Sequence, residues 1–129
     1  MQLTQDPYEF RYVLRGADGT SARVNERELH ASFVLTPDVL VEPWAVADAA
    51  AMTPADMEPL LAAAPAVVLL GTGARLVFPP AAVRAACLGR GIGIEVMDNG
   101  AAARTFNLLA MEGRKVVAGF ILPRPAQEL

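Results

Sequence analysis

Hydrophobic positions follow two different periods along this chain, and the change of period divides it. Through the first third they alternate. Tyr8, Phe10, Tyr12 and Leu14 are separated by polar or smaller residues, which is the period of a half-buried strand. Ala17-Asp18-Gly19 is a turn signal, and residues 20–24 can return antiparallel. Leu29, Ala31, Phe33 and Leu35 alternate again until Thr36-Pro37-Asp38 breaks the run. Residues 39–41 form a short apolar strand that ends at Glu42-Pro43-Trp44.

Beyond Trp44 the pattern switches between helix and strand. Thr53-Pro54-Ala55-Asp56 has the chemistry of a helix start: a threonine cap, proline in the first turn and an acid three residues on. Pro59 removes a backbone donor, so that helix kinks or begins late. Residues 66–70 are continuously apolar, the mark of a strand covered on both faces. Residues 80–90 read as a helix closed by Gly91, 92–97 as a strand, and 98–111 as a helix capped by Asp98. Residues 115–122 are the last strand, and Pro123 and Pro125 end the ordered part. The order β-β-β-β-α-β-α-β-α-β predicts a three-layer α/β domain. Its central sheet is mixed, helices lie on the faces, and a small β-hairpin stands at the N-terminus. One domain over residues 1–129, ordered from about 8 to 122, accounts for the length.

Composition narrows the function. The chain is 53% hydrophobic and 19% charged, with a formal net charge of −3, which suits a globular protein and not a nucleic-acid binder with a basic face. One cysteine, Cys87, excludes an internal disulfide, and one histidine, His30, excludes a histidine-based zinc site. The polar N-terminus lacks the layout of a signal peptide. The apolar run at 62–70 is far short of the ~20 residues of a membrane span. The expected setting is therefore cytoplasmic, with no nucleic acid, no direct membrane insertion, no metal and no cofactor.

Two loops sit at the carboxyl ends of predicted parallel strands, where open α/β sheets take their ligands. One is Gly71-Thr72-Gly73 and the other is Met97-Asp98-Asn99. The glycine pair is neither a GxGxxG fingerprint nor a P-loop, because Arg75-Leu76-Val77-Phe78 follows it. It either supplies positive φ and close packing at a strand exit or presents amides to a small anion. Glu95 lies mid-strand, facing the same way as Gly93 and Met97. It is a structural ion pair with Arg75, Arg104 or Arg114 or lies on an exposed face, or it is an acid–base group in a cleft. On the helix from Asp98, the spacing puts Ala102, Phe106 and Leu109 on the packed face and Arg104, Asn107 and Met111 on the opposite stripe. Cys87 lies with Val83 and Ala86 on an apolar helix face, which makes it a packing cysteine. Trp44 reads as a core edge, with an interface anchor as the alternative. No catalytic triad assembles.

The ordered motifs Trp44, Leu70-Gly71-Thr72-Gly73, Glu95-Val96-Met97, Ala102 with Arg104-Thr105-Phe106-Asn107, and Glu112-Gly113-Arg114 carry a further signal. Over residues 12–122 they resemble the small Mth-domain-like family of unknown function, which includes mitochondrial complex I assembly factor 3 and the adipogenesis-associated Mth-domain protein. The resemblance implies the same three-layer fold and brings no established reaction. This chain has Asn99 where the family often has threonine or serine, and Phe106 where it often has tyrosine, so two hydroxyls are missing.

Two functions follow as expectations. The favoured one is a non-catalytic interaction or assembly-type domain whose counterpart is a protein, with self-association as a further option. The other is a small-molecule or anion binder, or an enzyme. It would use Gly71, Thr72, Gly73, Asp98 and Asn99, with Glu95 as acid or base and Arg104, beside Asn107, as anion clamp. It requires a concave pocket joining the two loops.

Overall fold

The computed structural model describes residues 11–123; Tyr8, Phe10 and Pro125 lie outside them. Among the described residues there are two sheets. The first is antiparallel, with β1 (Leu14–Ala17), β2 (Ala22–Val24) and β3 (Arg27–Leu29) in the order β1-β2-β3. The second contains β4 (Phe33–Leu35), β5 (Leu40–Val41), β6 (Val67–Gly71), β7 (Gly93–Met97) and β8 (Val116–Phe120), in the order β5-β4-β8-β6-β7. β8, β6 and β7 are parallel, while β4 is antiparallel to β8 and β5 to β4, so the sheet is mixed. Among the described residues three α-helices complete the fold: α1 (Glu58–Leu61), α2 (Ala81–Leu88) and α3 (Asn99–Met111).

The central strands are apolar throughout because both of their faces are covered. One face of the sheet presents Val34, Val68, Leu70 and Val117 to a core with Trp44, Leu60, Val83 and Cys87. The other presents Phe33, Leu69, Ala118 and Phe120 to α3 and to Leu14, Val24 and Leu29 of the small sheet. Phe33 and Phe120 are partners in the strand register, and their rings stack with centroids 5.1 Å apart. α3 is capped at its start by the Asp98 carboxylate, which accepts from the Ala101 N–H at 2.8 Å. It ends in a Schellman motif. Gly113 takes φ 76°, its N–H donates to the Ala110 carbonyl, and the Arg114 N–H donates to the Leu109 carbonyl.

Two details differ from the sequence pattern, at residues 29–35 and on the inner face of α3, and between them the helix after Thr53 begins late, as one of its two expected forms. The alternating run 29–35 is not one strand, because it breaks between β3 and β4 and so feeds both sheets. At the corner Ser32 is buried. Its hydroxyl lies 2.6 Å from the Val46 carbonyl oxygen and accepts from the Leu122 N–H at 2.8 Å, which anchors a bend the alternation cannot report. The N-terminal hairpin accordingly gains β3 as a third strand. After Thr53 the chain first makes a 3-10 turn, Pro54–Met57, and only then α1, where Pro59 falls in the first turn and breaks no bond. The inner face of α3 buries Ala102, Ala103, Phe106 and Ala110, with Leu109 only half-buried.

Candidate functional site

β6 and β7 are parallel neighbours with Gly71 opposite Met97, so the loops 71–73 and 97–99 lie side by side. What fills the space between them is the chain itself. Asn99 is fully buried. Its carboxamide oxygen accepts from the Gly73 N–H at 3.1 Å, and its NH2 donates to the carbonyls of Asp18 at 2.9 Å and Ile121 at 3.0 Å. The Asn99 N–H donates to the Gly73 carbonyl, and the Thr72 N–H to the Met97 carbonyl. The Thr72 hydroxyl lies 2.6 Å from the Arg75 carbonyl oxygen and accepts from the Val77 N–H at 3.0 Å.

The two glycines have different causes. A β-carbon on Gly71 would collide with the Asn99 carboxamide and come within 3.1 Å of the Phe120 ring. Gly73 instead needs its φ of 106°. The β1–β2 turn closes the arrangement from outside, since a β-carbon on Gly19 would strike Ala74. In that turn the Asp18 carboxylate accepts from the N–H groups of Thr20 and Ser21 and from the Thr20 hydroxyl, which holds its pKa below the usual aspartate value. The amides of residues 72 and 73 are thus engaged within the chain, and the carboxyl ends of the strands are packed.

The remaining candidates separate from that cluster. Asn107 does not lie on a free stripe. Its carboxamide donates to the Leu14 carbonyl at 2.7 Å and accepts from the Leu14 N–H at 3.1 Å, which clasps β1 to α3. Arg104 is exposed one turn nearer the helix start. It and Asn107 line a cleft of about 260 Å³ between β1 and α3, together with Arg15 and Gly100. Glu95 is exposed on the edge strand β7 and, among the described residues, pairs with none of Arg75, Arg104 or Arg114. Cys87 is buried, and that burial pushes its thiol pKa up. Among the described residues no cluster of three His, Cys, Asp or Glu side chains could hold a metal ion. No helix among them is long and apolar enough to cross a membrane.

A larger cavity lies at the opposite end of the sheet. A groove of about 740 Å³ runs between the β4–β5 hairpin and α1 and reaches the start of β8. Val34, Val39, Val41, Pro59, Ala63 and Val117 supply much of its apolar lining, and Arg114 and Lys115 stand at its rim. The strand-end rule points to the other end, so it does not find this groove. The one signal in the sequence is Arg114-Lys115, the only adjacent basic pair in an acidic chain.

The family model described as a protein of unknown function, DUF498/DUF598, matches residues 14–121. Among solved structures, a Xanthomonas campestris protein determined by NMR is 50% identical, covers 100% of this chain with 98% of its own covered, and superposes with a TM-score of 0.83. A Bordetella pertussis protein described as a Mth938-like domain is 28% identical over 94% of this chain and 92% of its own, with a TM-score of 0.72. A Bartonella henselae structure described as an outer membrane protein shares the fold at 24% identity and a TM-score of 0.75, over 90% of this chain and 98% of its own. No curated protein matches the chain.

Proposed function

The chain belongs to the DUF498/DUF598 family of proteins of unknown function, and from that premise we propose that it is a non-catalytic interaction domain. One observation carries the reading. The strand-end crevice, where an α/β sheet usually binds a ligand, is filled by the Asn99 carboxamide, which ties together Gly73, Asp18 and Ile121. With that crevice closed, the groove beside β5 offers an open, largely apolar surface, and a protein partner suits it. A cytoplasmic setting belongs to the same reading and suits the free thiol of Cys87.

The cleft between β1 and α3 favours a second reading. Arg15 and Arg104 flank it, and two guanidinium groups suit a small anion. A thermal-unfolding panel of nucleotides, phosphates and small carboxylates separates the two. The interaction reading expects no shift with any of them. A ligand at a hundredfold excess over its Kd would add about 2.7 kcal/mol. Such a shift, abolished by Arg104→Ala, would replace the interaction reading with the anion reading.

A further inference from the structure

Among the described residues, the helical layer on the Trp44 side of the sheet is incomplete. α1, of four residues, packs on β8, and α2 packs on β7. Over the outer strands the layer leaves Val39 and Val41, which are 52% and 40% exposed. Val34 and Val41 are register partners, so they share that face. Together with Val117 they make an apolar floor, with Pro59, Ala62 and Ala63 as one wall.

Four kinds of occupant can be weighed. A small molecule needs a few buried polar groups to orient it. Here the buried lining residues, Val34, Pro65, Ala110, Val116 and Val117, are all apolar, and the polar side chains Thr36, Asp38, Arg114 and Lys115 are not among the buried residues. An added strand needs an edge with a row of outward N–H and C=O groups. β5 is two residues long, and the antiparallel pattern turns only one of them outward. A second copy joined groove to groove would set this rim against its own image, although each copy already carries a formal charge of −3. An amphipathic helix needs only an apolar trough with charge at its margin.

The charge at that margin has a sign. Arg114 and Lys115 are exposed, and among the described residues neither is in an ion pair. Asp38, on the β4–β5 turn, is the one acid in the lining. The rim is therefore net positive on an acidic protein. Its backbone is fixed, because the Schellman motif holds Arg114 and the Lys115 carbonyl accepts from the N–H groups of Ala66 and Val67.

We propose that this groove docks an amphipathic helix of a partner protein, with the helix's apolar stripe on the exposed Val39, Val41, Pro59 and Ala62 and its acidic residues against Arg114 and Lys115. The proposal rests on the interaction reading and adds the surface and the partner's chemistry.

The test is site-specific photo-crosslinking of the full chain in its own cells. A benzophenone side chain replaces Val41 in one variant and Leu108, exposed on α3, in another, and the attached peptides are sequenced. The expected result is an adduct at position 41 with a helical segment whose apolar residues recur at i, i+3 or i+4 and i+7 and which carries acidic residues. Its yield should fall on the order of tenfold in the Arg114→Glu/Lys115→Glu variant, with the unfolding midpoint unchanged. An adduct at 41 with a second copy, with a lipid or with a segment lacking that pattern overturns the proposal, as does a yield indifferent to charge reversal. A protein adduct only at 108 overturns the groove and keeps the interaction reading. No adduct at either position overturns both.

Discussion

The carboxamide of Asn99 occupies the place where a β-carbon on residue 71 would project. Gly71 is therefore glycine because α3 begins with a side chain that must reach past it. From there the same amide holds the glycine loop, the last strand's exit and the β1–β2 turn, which is 81 residues distant in sequence. A crevice that could have been a ligand site serves as the joint between the two sheets.

The first prediction follows from that joint. Gly71→Ala should cost about 1–3 kcal/mol, the usual penalty for overpacking. Gly16→Ala, where no atom lies within 4 Å of the new carbon, should stay within about 0.5 kcal/mol. Asn99→Asp should be worse than either, at roughly 3–5 kcal/mol, because a buried carboxylate would face the carbonyls of Asp18 and Ile121. Urea unfolding of the three variants ranks them. A loss for Gly16→Ala equal to that for Gly71→Ala would remove the steric explanation.

A second clasp invites a second variant. Asn107 offers one donor and one acceptor to Leu14, 93 positions away in sequence. Asn107→Ala should leave both backbone groups of Leu14 without that partner and cost about 1–3 kcal/mol. Its distinctive readout is local. Hydrogen exchange at Leu14 should speed up more than exchange at Leu69 in β6. Uniform acceleration at both sites would mean that β1 and the main sheet open together.

Much of the main sheet is legible in the sequence, and the reason lies in particular residues. Residues 66–70 are apolar because β6 has a strand on each side and a layer on each face, and Asp98 announces α3 by capping it. The break at Ser32 is hidden, since Leu29, Phe33 and Leu35 bury into the same core on either side of it. The candidate loops are legible as strand ends, but the closure of the space between them depends on the contacts of Asn99 with Asp18 and Ile121, far along the chain. Asn107 reads as free in the sequence for the same reason, because its partner is Leu14 on β1. The groove is not legible in the periodicity, because among the described residues it arises where the helical layer stops, and local periodicity reports only the elements it belongs to.

Acid should act on the β1–β2 turn. Hydrogen bonds from Thr20 and Ser21 lower the Asp18 pKa in the folded protein. The folded state therefore binds fewer protons there than the unfolded chain, and the turn's contribution is present above the unfolded pKa. It is lost as pH falls through the lowered folded value. Asp18→Asn should be less stable than the parent at neutral pH, and the gap should close on the acid side of that value. A gap constant from neutral pH downward would mean that the carboxylate's charge plays no part.

Trp44 supplies the last prediction, because it is the chain's only tryptophan and reports on itself. It is buried, and its indole N–H donates to the Asp56 carbonyl at 2.9 Å. Its ring lies over Gly119 in the middle of β8, where a β-carbon would come within 2.7 Å of Cη2 and Cζ3. Gly119→Ala should therefore push the indole off the sheet, shift its fluorescence to longer wavelength and cost about 1–3 kcal/mol. The side chain of Trp44→Phe lacks those two atoms, so the added methyl should be better tolerated in that background. A double-mutant cycle should then give a coupling of roughly 0.5–3 kcal/mol. Zero coupling would place the strain elsewhere, with Leu60, 3.2 Å from the same β-carbon, as the residue to change next.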